Sequence, residues 1–80
     1  MDDARISDTI ERLVAEEHRL LAADPHKVDL DERHRRLDEV KVELDRCWDL
    51  LRQRRALREF DEDPDRAEVR DADTVERYLQ

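Results

Sequence analysis

Apolar residues recur along this chain with helical spacing. In the first third, Ile6, Ile10, Leu13, Glu17 and Leu20 follow one another in steps of four and three, with Val14 and Leu21 beside them. That is one stripe on a helix of about six turns, predicted over about Asp3 to Ala23. Asp2, Asp3 and Asp8 lie near its start, where negative charge suits the helix dipole. Asp24-Pro25 ends it, because proline cannot donate inside a helix and pushes its predecessor out of the α region. A second stripe reads Leu30, Arg33, Leu37, Val40, Leu44, Cys47, Trp48, Leu51, with Leu50 and Leu57 on a neighbouring ridge. It predicts a longer helix from about Leu30 to Phe60, with Asp29 as N-cap and Glu32 completing a capping box. The acidic run that follows Phe60 stops it.

The remainder, residues 63–80, carries two weak helix starts, Asp63-Pro64 and Asp73 before Thr74-Val75-Glu76. Its apolar content is Val69, Val75, Tyr78 and Leu79, too little to fold alone. The pattern therefore predicts an all-α protein. An antiparallel, coiled-coil-like hairpin occupies residues 1–62, and a C-terminal arm with short helical turns occupies 63–80. The short connection makes the helices neighbours. Folding about residue 26 sets Leu13 against Val40, Ile10 against Leu44, and Ile6 against Cys47. Glu17 falls opposite Arg33 to Arg36, where an ion pair is expected.

The helices differ in length, and the first is used up near position 50 of the second. Trp48, Leu50, Leu51, Leu57 and Phe60 are then left as an apolar patch, the mark of an interface. The arm, a second copy or another protein could cover it. The expectation is a homodimer completing a helical bundle, with the arm helping. Eighty residues bury a small core, which favours that completion.

Composition narrows the chemistry. The chain has 24 acidic and 16 basic residues, net charge −8, and no glycine. Without glycine there is no phosphate-cradling loop. Net acidity argues against a general nucleic-acid binder. A lone cysteine, no secretion signal and no membrane-length apolar run point to the cytoplasm. His18, His26, His34 and Cys47 lack metal-site spacing, and the only serine is Ser7, so no metal, cofactor or nucleophilic triad is expected. The chain reads as a non-enzyme.

One local departure is basic. Arg46, Arg52, Arg54, Arg55 and Arg58 crowd around a single acid, Asp49. Arginine forks suit phosphate and carboxylate. Arg52, Arg54, Arg55 and Arg58 are thus candidates for a small anionic ligand or nucleotide, with Trp48 as a stacking partner. The simpler reading is that the acidic run Glu59 to Asp65 neutralises them, in the same chain or a partner. A third reading is a regulator that holds a transcription component through the open seam.

The stretch Glu43-Leu44-Asp45-Arg46-Cys47-Trp48-Asp49-Leu50-Leu51-Arg52-Gln53-Arg54-Arg55-Ala56 resembles the shared core E-L-D-x-C-W-D-L-L-R-Q-R-R-A of a group of small actinobacterial proteins that form a domain of unknown function. Ile10, Leu13-Val14, Glu16-Glu17-His18, Asp63-Pro64-Asp65, Val69-Arg70 and Val75-Glu76-x-Tyr78 are similar to it too. The resemblance spans nearly the whole chain. It implies a small actinobacterial protein and brings no catalytic residue or ligand with it.

Overall fold

The computed structural model describes residues 2–71 and 73–75. Two helices, α1 (Asp3–Ala22) and α2 (Leu30–Glu59), pack as a hairpin, and a short 3₁₀ turn at Pro64–Arg66 opens the arm. Glu76, Tyr78 and Leu79, counted with the arm on sequence grounds, lie outside the described residues.

Side chains set most boundaries. Asp2 caps α1, accepting the Arg5 N–H at 2.9 Å. Asp24 accepts the His26 N–H at 2.9 Å, which turns the chain at Pro25. Asp29 accepts the N–H groups of Asp31 and Glu32 and so starts α2. Asp63 does the same for the 3₁₀ turn through the Asp65 N–H, with Pro64 behind it. Further on, Asp71 rather than Asp73 caps the turn at 73–75. Its carboxylate takes the Thr74 N–H at 2.8 Å and its carbonyl takes the Val75 N–H.

The core is small: Val40 on α2 and Val75 beyond the 3₁₀ turn are fully buried, and the main cluster lies towards the open end of the hairpin. Ile6, Ile10, Cys47 and Leu50 form its buried centre, flanked by Leu13, Val14, Leu44, Leu51 and Ala67 of the arm. Ile6 and Ile10 share this cluster with Cys47 and Leu44, in keeping with the hairpin expected from the short connection. Two details differ. The cross-helix ion pair is made by Glu16, not Glu17: both its oxygens take the Arg36 guanidinium, at 2.5 and 2.7 Å. In addition, α1 reaches further along α2 than position 50, because Asp3 in its first turn pairs with Arg54 and Arg58. Leu50 is therefore buried in the core and does not belong to an open patch.

The molecule is elongated, 53 × 25 × 16 Å, with a radius of gyration of 15.1 Å. A compact chain of this size has about 12 Å. Such a rod has little interior, so its polar joints carry unusual weight.

One of those joints ends α2. The Glu62 N–H returns to the Leu57 carbonyl at 2.7 Å and the Asp61 N–H to that of Arg58 at 3.1 Å. This is a Schellman closure, whose left-handed position is normally glycine. Here Asp61 holds it at φ 57°, in a chain with no glycine at all. A Cβ in that region costs on the order of 1 kcal/mol. Asp61→Gly is predicted to stabilise the monomeric fold by about 1 kcal/mol, a rise of about 5 °C in Tm. Thermal melting at low protein concentration checks this; a lower Tm would mean that the turn is not under strain.

Candidate functional site

The residues singled out in the arginine-rich stretch converge on one feature, a polar clamp that fastens the arm to α2. Asp49 and Gln53 stand one helical turn apart and share a face. The arm runs back along that face, antiparallel to α2. It brings Asp65 to Arg54, Glu68 to Gln53 and Arg70 to Asp49.

Each contact is specific. Asp49 is completely buried. The Arg70 guanidinium grips it by two nitrogens, Nε to Oδ2 at 2.9 Å and Nη2 to Oδ1. Gln53 Nε2 donates to Asp49 Oδ2 at 2.8 Å. The same amide reads the arm's backbone in both directions. Its Nε2 donates to the Glu68 carbonyl at 2.8 Å, and its Oε1 accepts the Glu68 N–H at 3.3 Å. Arg54 is also buried. Its Nε donates to Asp3, and its Nη1 donates to Asp65 at 2.9 Å and to the Pro64 carbonyl at 3.2 Å.

Charge follows from this geometry. Burial alone pushes the Asp49 carboxyl up. The hydrogen bonds from Arg70 and Gln53, with the charges of Arg70 and Arg52, outweigh that and hold it below the usual carboxylate value. Hydrogen bonds from Arg54 and Arg58 lower Asp3. Burial raises the Cys47 thiol, helped by the charge of Glu43, so it is a packed core residue rather than a nucleophile.

The arginine candidates are placed as follows. Arg54 is enclosed by Asp3 and Asp65, so it does not stand open to a ligand. Arg58 pairs with Asp3 at 2.9 Å, Arg46 with Glu43 at 3.4 Å, and Arg52 with Asp49 at 3.8 Å. Arg55 is exposed and pairs with no acid among the described residues. Of the acidic run only Asp65 contributes to these pairs; Asp3, from the other end of the chain, serves Arg54 and Arg58, and Glu43 and Asp49 serve Arg46 and Arg52. The interface candidates are scattered. Leu50 is in the core, Leu51 packs against it and Leu57 is half-buried, while Trp48 and Phe60 are 49% and 78% exposed. Trp48 and Phe60 stand about 120° apart around α2 and about 18 Å apart along it, so they do not form one stripe.

Sequence reasoning missed the partners of the clamp. The signal was a single acid, Asp49, inside a basic stretch and on the helix face away from α1, with an unassigned Arg70 downstream. The histidines His18, His26 and His34 are exposed. Among the described residues no His, Cys, Asp and Glu side chains cluster to hold a metal, and no helix is long and apolar enough to cross a membrane. An open cleft of about 390 Å³ lies at the closed end of the hairpin, between Leu20, Val28, Arg33 and Arg36. It contains none of the candidate residues.

The fold and clamp define an all-α hairpin locked by its own C-terminal arm. Residues 2–80 match the family model described as a protein of unknown function (DUF2630), and the chain belongs to that family. Among its relatives are the uncharacterized protein Rv0898c of Mycobacterium tuberculosis and the uncharacterized protein Mb0922c of Mycobacterium bovis. Each is 51% identical over 70 residues, covering 86% of this chain and 80% of the relative. No solved structure matches.

The clamp has a pH signature. Because the folded state lowers the Asp49 pKa, its contribution is fully present above the unfolded value of about 3.9 and is lost progressively as pH falls from there through the lower folded value. Asp49→Ala, which strands Arg70 at the half-buried joint, is predicted to cost about 2 kcal/mol at pH 7. The gap between wild type and variant should close as pH drops below about 4. Denaturant melts across pH check this; a gap that does not narrow as pH falls below about 4 would contradict the assignment.

Proposed function

We propose that the chain is a non-catalytic helical interaction module of the cytoplasm that associates with a second copy of itself through the C-terminal half of α2. The observation that carries this reading is the state of the aromatics. Trp48 on that half and Phe60 at its C-cap stand in solvent at 49% and 78%, although the core is small and could use them. Large aromatics left outside a sparse core fit an interface better than a monomer surface.

The charged groups support the same view. The buried Asp49 carboxylate is spent on Arg70 of the arm and the buried Arg54 guanidinium on Asp3 and Asp65, so both serve as structural fasteners. The internal pairing of Arg54 and Arg58 weakens the anion-sensor reading, which needs those cations free. The lone, unpaired Cys47 accords with a reducing compartment.

Sedimentation equilibrium over a wide concentration range tests the proposal. The expected result is a mass that doubles with concentration, with Phe60→Ser and Trp48→Gln each weakening association at least tenfold while leaving helix content unchanged. A single-chain mass at every concentration would overturn it.

A further inference from the structure

We propose that the copies join by exchanging arms, so that each α2 is clamped by residues 64–71 of the other chain. This deepens the self-association reading and rests on it. The argument has three parts.

The first is the nature of the clamp. Its groove on α2 is a specific receptor: a buried carboxylate for a guanidinium, a glutamine amide two-way bonded to one backbone unit, and a buried guanidinium for a carboxylate and a carbonyl. The segment that fits is extended and carries an acid, then three residues later an open backbone unit, then two residues on an arginine. Asp65, Glu68 and Arg70 meet that description. The segment seated in the groove is this chain's own arm, and a second copy carries the same segment, able to make the same contacts.

The second is the hinge. Only Phe60 to Asp63 separate α2 from the 3₁₀ turn. The chain reverses there through Asp61, a non-glycine residue at φ 57°. Short hinges under strain favour exchange, because opening releases a cost that closing incurs.

The third is Phe60. It lies at the hinge and is 78% exposed in the closed arrangement. In an exchanged pair the two hinges cross near the two-fold axis, which brings the two Phe60 rings to the new interface. Exchange thus accounts for an exposed aromatic that intrachain closure leaves wet.

The test uses two full-length variants with opposite charges. A chain carrying Asp49→Arg cannot hold its own arm, and neither can one carrying Arg70→Asp. Mixed together, an exchanged heterodimer satisfies both joints: the wild-type Asp49 groove receives the wild-type Arg70, and the introduced guanidinium receives the introduced carboxylate. Native mass spectrometry of the refolded mixture should show the heterodimer in at least tenfold excess over either homodimer, with a melting temperature above that of each variant alone. A mixture with no such excess, while wild type is dimeric, overturns exchange and leaves self-association standing. Monomeric wild type overturns both.

The hinge supplies a second measurement that leaves the clamp intact. Asp61→Gly relieves the closed turn in both chains and should lower the dimer association constant about thirtyfold, whereas Asp61→Val, which disfavours positive φ, should raise it. An association constant unmoved by either substitution overturns the proposal.

Discussion

A buried guanidinium must be given acceptors, and Arg54 takes its acceptors from every other segment of the molecule. Asp3 comes from the first turn of α1, Asp65 and the Pro64 carbonyl from the arm. Removing one partner from such a joint leaves a charge out of water, which is far costlier than losing an exposed pair. The arrangement therefore couples elements that share little apolar surface. The hairpin's open end is closed by Asp3, and the arm's path is set by Asp65. One turn back along α2, Asp49 and Gln53 repeat the logic with Arg70 and the Glu68 backbone. A thin rod with a few buried aliphatic side chains gains a defined third segment in this way.

The same constraint explains the central stretch of the sequence. Cys47, Leu50 and Leu51 point at α1 and build the core. Asp49 and Gln53 lie towards the arm and hold it, while Arg54, on the α1 side, reaches both Asp3 and the arm. Two faces of one helix serve two neighbours, so the stretch alternates apolar and charged residues without the clean amphipathic stripe seen on α1. An absence of glycine adds a cost at the turn, where Asp61 must take a left-handed conformation. An acid is better suited to that position than most side chains, since Asp hydrogen-bonds locally.

Much of the fold was legible before any coordinates. Both helices, Asp29 as a cap, Pro25 as a break and the Asp63-Pro64 start all follow from local chemistry, and local chemistry is what a sequence displays directly. The pairing of Ile6 with the region of Cys47 followed from a short connection between antiparallel helices. The clamp was not legible, for a physical reason. Asp49 and Arg70 are 21 positions apart and meet only after the chain reverses at Asp61, a turn with no glycine to announce it. Half the residues are charged, so any one of many pairings could have been written down. The choice of Glu16 over Glu17 turned on the rotation of α1 by one residue, finer than periodicity resolves. Leu50 was misplaced because the reach of α1 depends on Asp3 finding Arg54.

The central claim is that a buried polar joint, alongside the apolar burial of Ala67 and Val75, is required to hold the arm to the hairpin. Amide hydrogen exchange resolved by residue, comparing wild type with Arg54→Met, tests it most directly. The substitution keeps the apolar bulk of the side chain and removes its donors. The account predicts lost protection at Glu68 and through the arm, and at the first turn of α1, while the middle of the hairpin around Ile10 and Leu44 exchanges as before. An arm that stays as protected in Arg54→Met as in wild type would contradict it.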